Sequence, residues 1–257
     1  MIVLLRMLCV LLPGAGGLHI QVSYQYDGYY NYGKVEPEVR QTAAYWFNSD
    51  VMVYETDTIR YIVDSKEKSI ILIQKKSKIY VKIDLTKQQI PEIVDERIKG
   101  FFQTDRAGGN IQPGYKKAII QGFTCHLYDR VYWNSDQESI FEKRKESIWL
   151  TRKAGINIES YRLLKHFLLD LYEYAGNWEP GFIKELKEIR GFPVKIESLF
   201  YIKGSQRKGQ MRLIRMVKQA VPAEMLSIPG DFKKIDRLTL DYIHTNPYYG
   251  SWGLMRW

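Results

Sequence analysis

Two kinds of hydrophobic spacing alternate along this chain. From Thr42 the chain falls into short runs rich in Val, Ile and Tyr, which read as strands: Thr42–Phe47, Val51–Glu55, Thr58–Val63, Ser69–Gln74 and Lys78–Asp84. Asn48-Ser49-Asp50, Asp57 and Asp64-Ser65-Lys66 separate the runs, and such residues favour turns. The gaps are too short for crossover helices, so consecutive strands should pair as an antiparallel meander. In the last run Ile79, Val81 and Ile83 alternate with Lys78, Tyr80, Lys82 and Asp84, giving one apolar and one polar face. The period then becomes helical. Ile90, Ile93, Val94, Ile98 and Phe101 form a stripe behind Thr86, with Pro91 in the first turn, where its missing N–H is harmless. Gly100 and Arg106-Ala107-Gly108-Gly109-Asn110 end that helix in a loop.

Strand spacing resumes at Lys116–Ile120, Phe123–Trp133 and Glu138–Thr151. Ile158 to Tyr174 is a second amphipathic helix, with Tyr161, Leu164, Phe167, Leu168 and Leu171 on one face. A short helix at Gly181–Ile189 precedes two more strands, Val194–Ile202 and Met211–Gln219. Leu18 to Lys34 carries Tyr24, Tyr26, Tyr29, Tyr30 and Tyr32 and reads as a short edge strand followed by a turn. Internal repeats and domain-dividing linkers are absent from the sequence.

The order of segments resembles uncharacterised secreted bacterial families with a LolA/LolB-like fold, the fold of outer-membrane lipoprotein carriers. The matching pieces are Arg60–Asp64, Lys78–Tyr80, Ile119–Tyr128, Ile148–Thr151, Gly191–Glu197 and Val221 through Lys233. The resemblance spans residues 42–235, and the order of the pieces carries it. It implies an α+β fold in which a curled antiparallel sheet, an incomplete barrel, wraps around a few helices. A periplasmic or outer-membrane-associated location is implied too. Residues 18–41, the Tyr-rich start, and 236–257, an aromatic tail, fall outside it. The lipoprotein chaperones' cargo is not implied, since no motif assigns this chain to them.

The start, MIVLLRMLCVLLPGAGG, fits a secretory leader. Ile2 to Leu12 is apolar apart from Arg6, Pro13-Gly14 breaks the run, and Ala15 and Gly17 suit cleavage after Gly17. Removal would leave Cys125 as the one thiol, expected to be buried, and no internal disulfide.

Composition narrows the chemistry. The 257 residues hold two cysteines and four scattered histidines, which exclude a disulfide-stapled scaffold and a four-cysteine or His-built zinc site. The Gly108-Gly109 pair has no preceding strand and no following Gly-Lys-Ser/Thr, so it is no phosphate cradle. The carboxylate pairs Glu36/Glu38 and Asp95/Glu96 read as solvated surface, and no nucleophile elbow is present. The chain is therefore expected to be non-enzymatic and to need no cofactor or metal. Its net charge of +9 is uneven: residues 140–218 hold 17 basic against 9 acidic groups. The excess centres on Lys143-Arg144-Lys145, Arg207-Lys208, Arg212 and Arg215. Strict alternation puts Arg212 with Met216 on one face, and Leu213 with Arg215 on the other.

Two functions follow as expectations. In the first, the hollow of the sheet holds a lipid or a lipoprotein acyl chain. Its walls would be Trp46, Tyr61, Ile71, Ile79, Val81, Ile83, Trp149 and Phe167, each buried CH₂ of the ligand adding about 0.8 kcal/mol. The basic residues would then meet an anionic envelope surface. Nucleic acid is not an expected partner of an exported chain. In the second, the same apolar residues pack on the helices, and the protein is an envelope structural or interaction module with a filled core.

Overall fold

The computed structural model describes residues 16–31, 34–97, 102–134, 141–152, 156–202 and 205–238. Of the expected leader, 1–17, residues 1–15 lie outside the described residues, and of the aromatic tail, 236–257, residues 239–257 do.

The expected runs form strands, and shorter ones that the sequence did not announce join them. They are β1 (Leu18–Tyr26), β2 (Tyr29–Asn31), β3 (Lys34–Glu36), β4 (Val39–Phe47), β5 (Val51–Glu55), β6 (Ile59–Asp64), β7 (Ser69–Gln74) and β8 (Ile79–Asp84). After the single-turn helix α1 (Ile90–Ile93) come β9 (Phe102–Ile120), β10 (Phe123–Asn134) and β11 (Phe141–Thr151). Next are α2 (Ile158–Ala175), β12 (Gly176–Trp178), α3 (Pro180–Glu188), β13 (Phe192–Ile202), β14 (Ser205–Lys218) and β15 (Lys233–Lys234). Thirteen strands form one sheet in the order β12-β9-β10-β11-β13-β14-β1-β4-β5-β6-β7-β8-β15; β2 and β3 pair separately. Every pairing in the large sheet is antiparallel except β12 on β9 and β15 on β8. The sheet is open rather than closed into a barrel, and the fold is α+β with a curled sheet, as expected.

β1 is not an edge strand. It lies at the seam of the sheet, paired with β4 on one side and β14 on the other, and Tyr24 and Tyr26 are buried. It divides the sheet into a short-stranded arm, β4–β8, and a long-stranded arm, β9–β14.

Helices cover one face. Asn157 caps α2 by accepting the Ser160 N–H at 3.1 Å, while its amide nitrogen donates to the Ser49 carbonyl at 2.7 Å. The buried stripe Tyr161, Leu164, Phe167, Leu168 and Leu171 packs with Tyr45, Phe47, Met52, Tyr61, Val63, Leu72, Val81 and Ile83 in one core. The short arm buries its other face as well. Trp46, Val53, Ile62 and Ile73 form a second cluster with Val221, Met225, Ile228 and Phe232 of the strap that follows β14. The strap is tied down by Lys78–Asp231 at 2.7 Å and by the bond from Arg60 to the Glu224 carbonyl at 2.9 Å.

Two sequence expectations fail locally. The stripe from Thr86 is interrupted after the single turn of α1, because Val94 leaves the helix to bridge Leu238, whose N–H donates to the Ile93 carbonyl at 2.7 Å; Glu96 and Arg97 are helical again. Ile98 and Phe101 lie outside the described residues. The expected loop Arg106–Asn110 is strand, part of β9. Gly108 and Gly109 are there for space: a Cβ at either would run into Glu179 or the Phe182 ring, so α3 can sit close against β9.

Candidate functional site

Register brings together side chains that the sequence keeps far apart. On the face away from the helices, Asp129 (β10), Ser147 (β11), Glu197 (β13), Gln210 (β14) and Gln25 (β1) lie in one row across five strands. Two residues along each strand, Val131, Lys145, Leu199 and Lys208 form the next row. Asp27 closes it, its N–H donating to the Lys208 carbonyl at 3.0 Å. The two rows line a groove of about 590 Å³, within the range of small-molecule sites. The groove occurs in the long arm because the strap covers this face only over the short arm.

Several of these groups are already oriented. Ser147 donates to Asp129 at 2.8 Å, and Gln210 donates to Gln25, which donates in turn to Glu38 at 2.7 Å. Lys195 pairs with Glu197 at 2.9 Å, and the Lys145 ammonium lies 5.6 Å from the Tyr201 ring centroid. One row further along, Trp149 is half-buried beside the groove, opposite Leu127 and Lys195. Beyond it Leu127, Cys125 and Thr151 of the same face are buried, and the amide nitrogen of Gln121 in the β9–β10 turn donates to the Leu213 carbonyl of β14. That bond crosses two intervening strands, β11 and β13, so the long arm must curl.

Directly beneath, on the helix face, the intervening row is ionic. Glu146 accepts from Arg130 Nε at 2.7 Å and Ser198 Oγ at 2.7 Å, and pairs also with Arg144. All four side chains are buried. Burial would raise the Glu146 carboxyl, but Arg130 and Arg144 hold it below the usual range. The Arg144 guanidinium lies 4.7 Å from the Phe200 ring centroid and 5.4 Å from that of Tyr132. Gly209, in the same row, leaves room for the Tyr26 ring.

A second basic group lies in the helix layer. Lys165 of α2 is buried and donates to the Leu186 and Ile189 carbonyls at 2.8 and 2.6 Å, capping the C-terminal end of α3. Burial, followed by Arg130 and Arg162, pushes it down to about 8.

The structure redistributes the residues singled out from the sequence. Tyr61, Val81, Ile83 and Phe167 are in the helix-side core, and Ile79 is half-buried on that side. Trp46 and Ile71 lie on the opposite face under the strap. The eight expected wall residues therefore do not surround one hollow, and none of them lines the groove. The cause is the period of two, which sends Trp46 and Ile71 to the face opposite Tyr61.

Of the basic residues, Lys143, Lys145, Lys208, Arg212 and Arg215 are exposed. Arg144 is not a surface cation: it is buried against Glu146. Arg207 is turned to the helix side, over the Tyr26 ring at 5.2 Å. Arg212 and Arg215 share the groove face and Leu213 turns inward, because a bulge at Ile214 resets the alternation. Cys125 is buried as expected, which raises its thiol. Among the described residues no cluster of His, Cys, Asp and Glu could hold a metal, and no helix is long and apolar enough to cross a membrane.

No family model and no curated protein matches this chain. Solved structures similar to it include PNGF-II, at 11% identity and a TM-score of 0.40 over 88% of this chain and 32% of that one. This chain thus spans about a third of the length of PNGF-II. They also include a DUF1329 family protein from Desulfovibrio piger, at 7% identity and a TM-score of 0.31. A third is a putative outer membrane lipoprotein-sorting protein domain from Vibrio parahaemolyticus, at 8% and 0.29. The last two each cover 84% of this chain and 91% of their own.

Proposed function

We propose that this chain is a non-enzymatic, envelope-associated binding protein that holds an amphiphilic ligand, a lipid or lipidated molecule, in the groove of the long arm. The observation that carries the reading is the groove itself. It offers about 590 Å³, with Val131 and Leu199 for apolar contact and Lys145 and Lys208 for a charged head. The leader-like pattern Ile2–Leu12 with Pro13-Gly14 supports the envelope location. The site expected from the sequence, a hollow under the helices, gives way to one on the opposite face.

Native mass spectrometry of protein purified gently from an envelope fraction tests the reading, together with displacement of a fluorescent fatty acid. A bound amphiphile is expected, and Leu199→Trp, which fills the groove, should weaken it at least tenfold while leaving the melting temperature near that of the parent. Repeated absence of any hydrophobic ligand and of displacement would sink the proposal.

The filled helix-side core favours a second reading, an interaction module without a small ligand. The exposed Tyr115 and Ile119 of β9 would then be contact residues. Their joint change to Ser should abolish a pull-down partner without lowering the melt.

A further inference from the structure

Most charges of the groove are sorted by row; Asp27, beside Lys208, is the exception. Asp129 and Glu197, on β10 and β13, stand in one row with Ser147 between them on β11. Lys145 and Lys208, on β11 and β14, stand in the next row with Leu199 between them on β13. Residues two apart on a strand are separated by roughly 6.7 Å. The groove therefore has an acceptor side and a cationic side one short molecule apart. All four charged side chains are exposed to it. A purely anionic ligand would meet Lys145 and Lys208 but leave its neighbouring oxygens against Asp129 and Glu197, at a cost from like charge. A purely cationic ligand has the converse problem.

Resting on the binding function proposed above, we infer that the groove takes a zwitterionic head group, a primary ammonium joined by a short spacer to a phosphate. The ammonium sits against Asp129, which Ser147 orients at 2.8 Å; Glu197, on the far side of Ser147, is already paired with Lys195 at 2.9 Å. The phosphate sits between Lys145 and Lys208. Val131 and Leu199, interleaved with the lysines, meet the first carbons of a chain attached to that phosphate. An ammonium with N–H donors suits this side better than a quaternary one, since carboxylate and glutamine oxygens surround it and the neighbouring aromatic rings, Tyr201 and Trp149, lie outside the lining.

The test is calorimetric titration of the full chain with short-chain lipids of equal acyl length. One bears phosphoethanolamine, one phosphocholine and one phosphoglycerol; free O-phosphoethanolamine is the fourth probe. The phosphoethanolamine lipid is expected to bind at least tenfold tighter than the other two. Asp129→Asn should erase that preference, and Lys145→Ala with Lys208→Ala should weaken every phosphate-bearing probe. These positions are exposed, so folding is retained. Binding by free O-phosphoethanolamine within tenfold of the lipid assigns the site to the soluble head group; a larger gap assigns it to the lipid. Equal binding of the three lipids, or preference surviving Asp129→Asn, overturns the zwitterion inference while leaving amphiphile binding intact. No binding by any probe overturns both.

Discussion

The two arms that meet at β1 start from the same alternation and use their second faces differently. In the short arm much of both faces is apolar and covered, by the helices on one side and the strap on the other, with Lys82 of β8 left exposed. In the long arm the helix face holds an ionic cluster, Arg130, Glu146 and Arg144, and the other face is left open as a groove. Strand length goes with this. Strands of five or six residues, as β5 to β8, give regular hairpins that are packed on the helix side. Strands of 11 to 19 residues, as β9, β10, β11, β13 and β14, accommodate bulges and curl, and so make a surface with shape. The short arm is a scaffold, and the long arm carries the groove in which we propose that a ligand binds.

The sharpest way to break this contrast is to remove charge from one arm and carbon from the other. Glu146→Gln strands two buried guanidinium groups and should cost about 3–5 kcal/mol in urea unfolding. Adding Arg130→Met and Arg144→Met to it should restore most of that loss, since an apolar replacement of the whole cluster removes the desolvation cost. Leu72→Ala in the short arm should cost about 2–5 kcal/mol as a cavity. A Glu146→Gln loss below about 1 kcal/mol would mean that the ionic layer is not structural.

Next in size is a pH window linking the helix layer to the long arm, because Arg130 adds to the burial that pushes Lys165 down to about 8. The folded value lies below the ordinary 10.5, so between these values the unfolded chain binds more protons. Stability should therefore rise with pH above about 8, by on the order of 2–3 kcal/mol across the window. Above about pH 10 the opposite sign sets in, since burial raises Tyr45 and Tyr161 and the unfolded chain loses those protons first. Denaturant melts from about pH 7 to 10 should show the rise in the parent and a flat profile in Lys165→Met.

The smallest effect tests the curl. Gln121→Ala removes the bond to the Leu213 carbonyl and should cost about 1 kcal/mol. Thiol labelling of the buried Cys125, read by peptide mass mapping, should speed up about fivefold. Unchanged labelling would show that the arm holds its shape without that bond.

The short arm was legible in the sequence almost residue by residue, because Val51–Glu55 and Ser69–Gln74 are short apolar runs of strand-favouring residues bounded by turn residues. The groove was not. Its lining comes from β1, β10, β11, β13 and β14, and strand order is a tertiary fact that no local pattern encodes. Gly108-Gly109 looked like a loop because glycine permits turns, whereas here it clears space for Phe182 and Glu179. Arg144 was readable in principle. With Ile148 and Leu150 turned inward, a period of two sends Glu146 and Arg144 inward also, and only the run of three basic residues obscured it.

The seam at β1 has a consequence for how the chain reaches this state. Leu18 pairs with Lys218 and Tyr26 with Gly209, so the contacts that join the two arms close loops of nearly 200 residues. Such non-local pairing is slow to form, because loop entropy is lost before the contacts repay it. β1 can zip onto β4 early, but its other edge stays unpaired until β14 has been made. During synthesis that open edge is the part of the molecule most prone to capture a wrong strand, and the last pairing to form is the one that completes the groove.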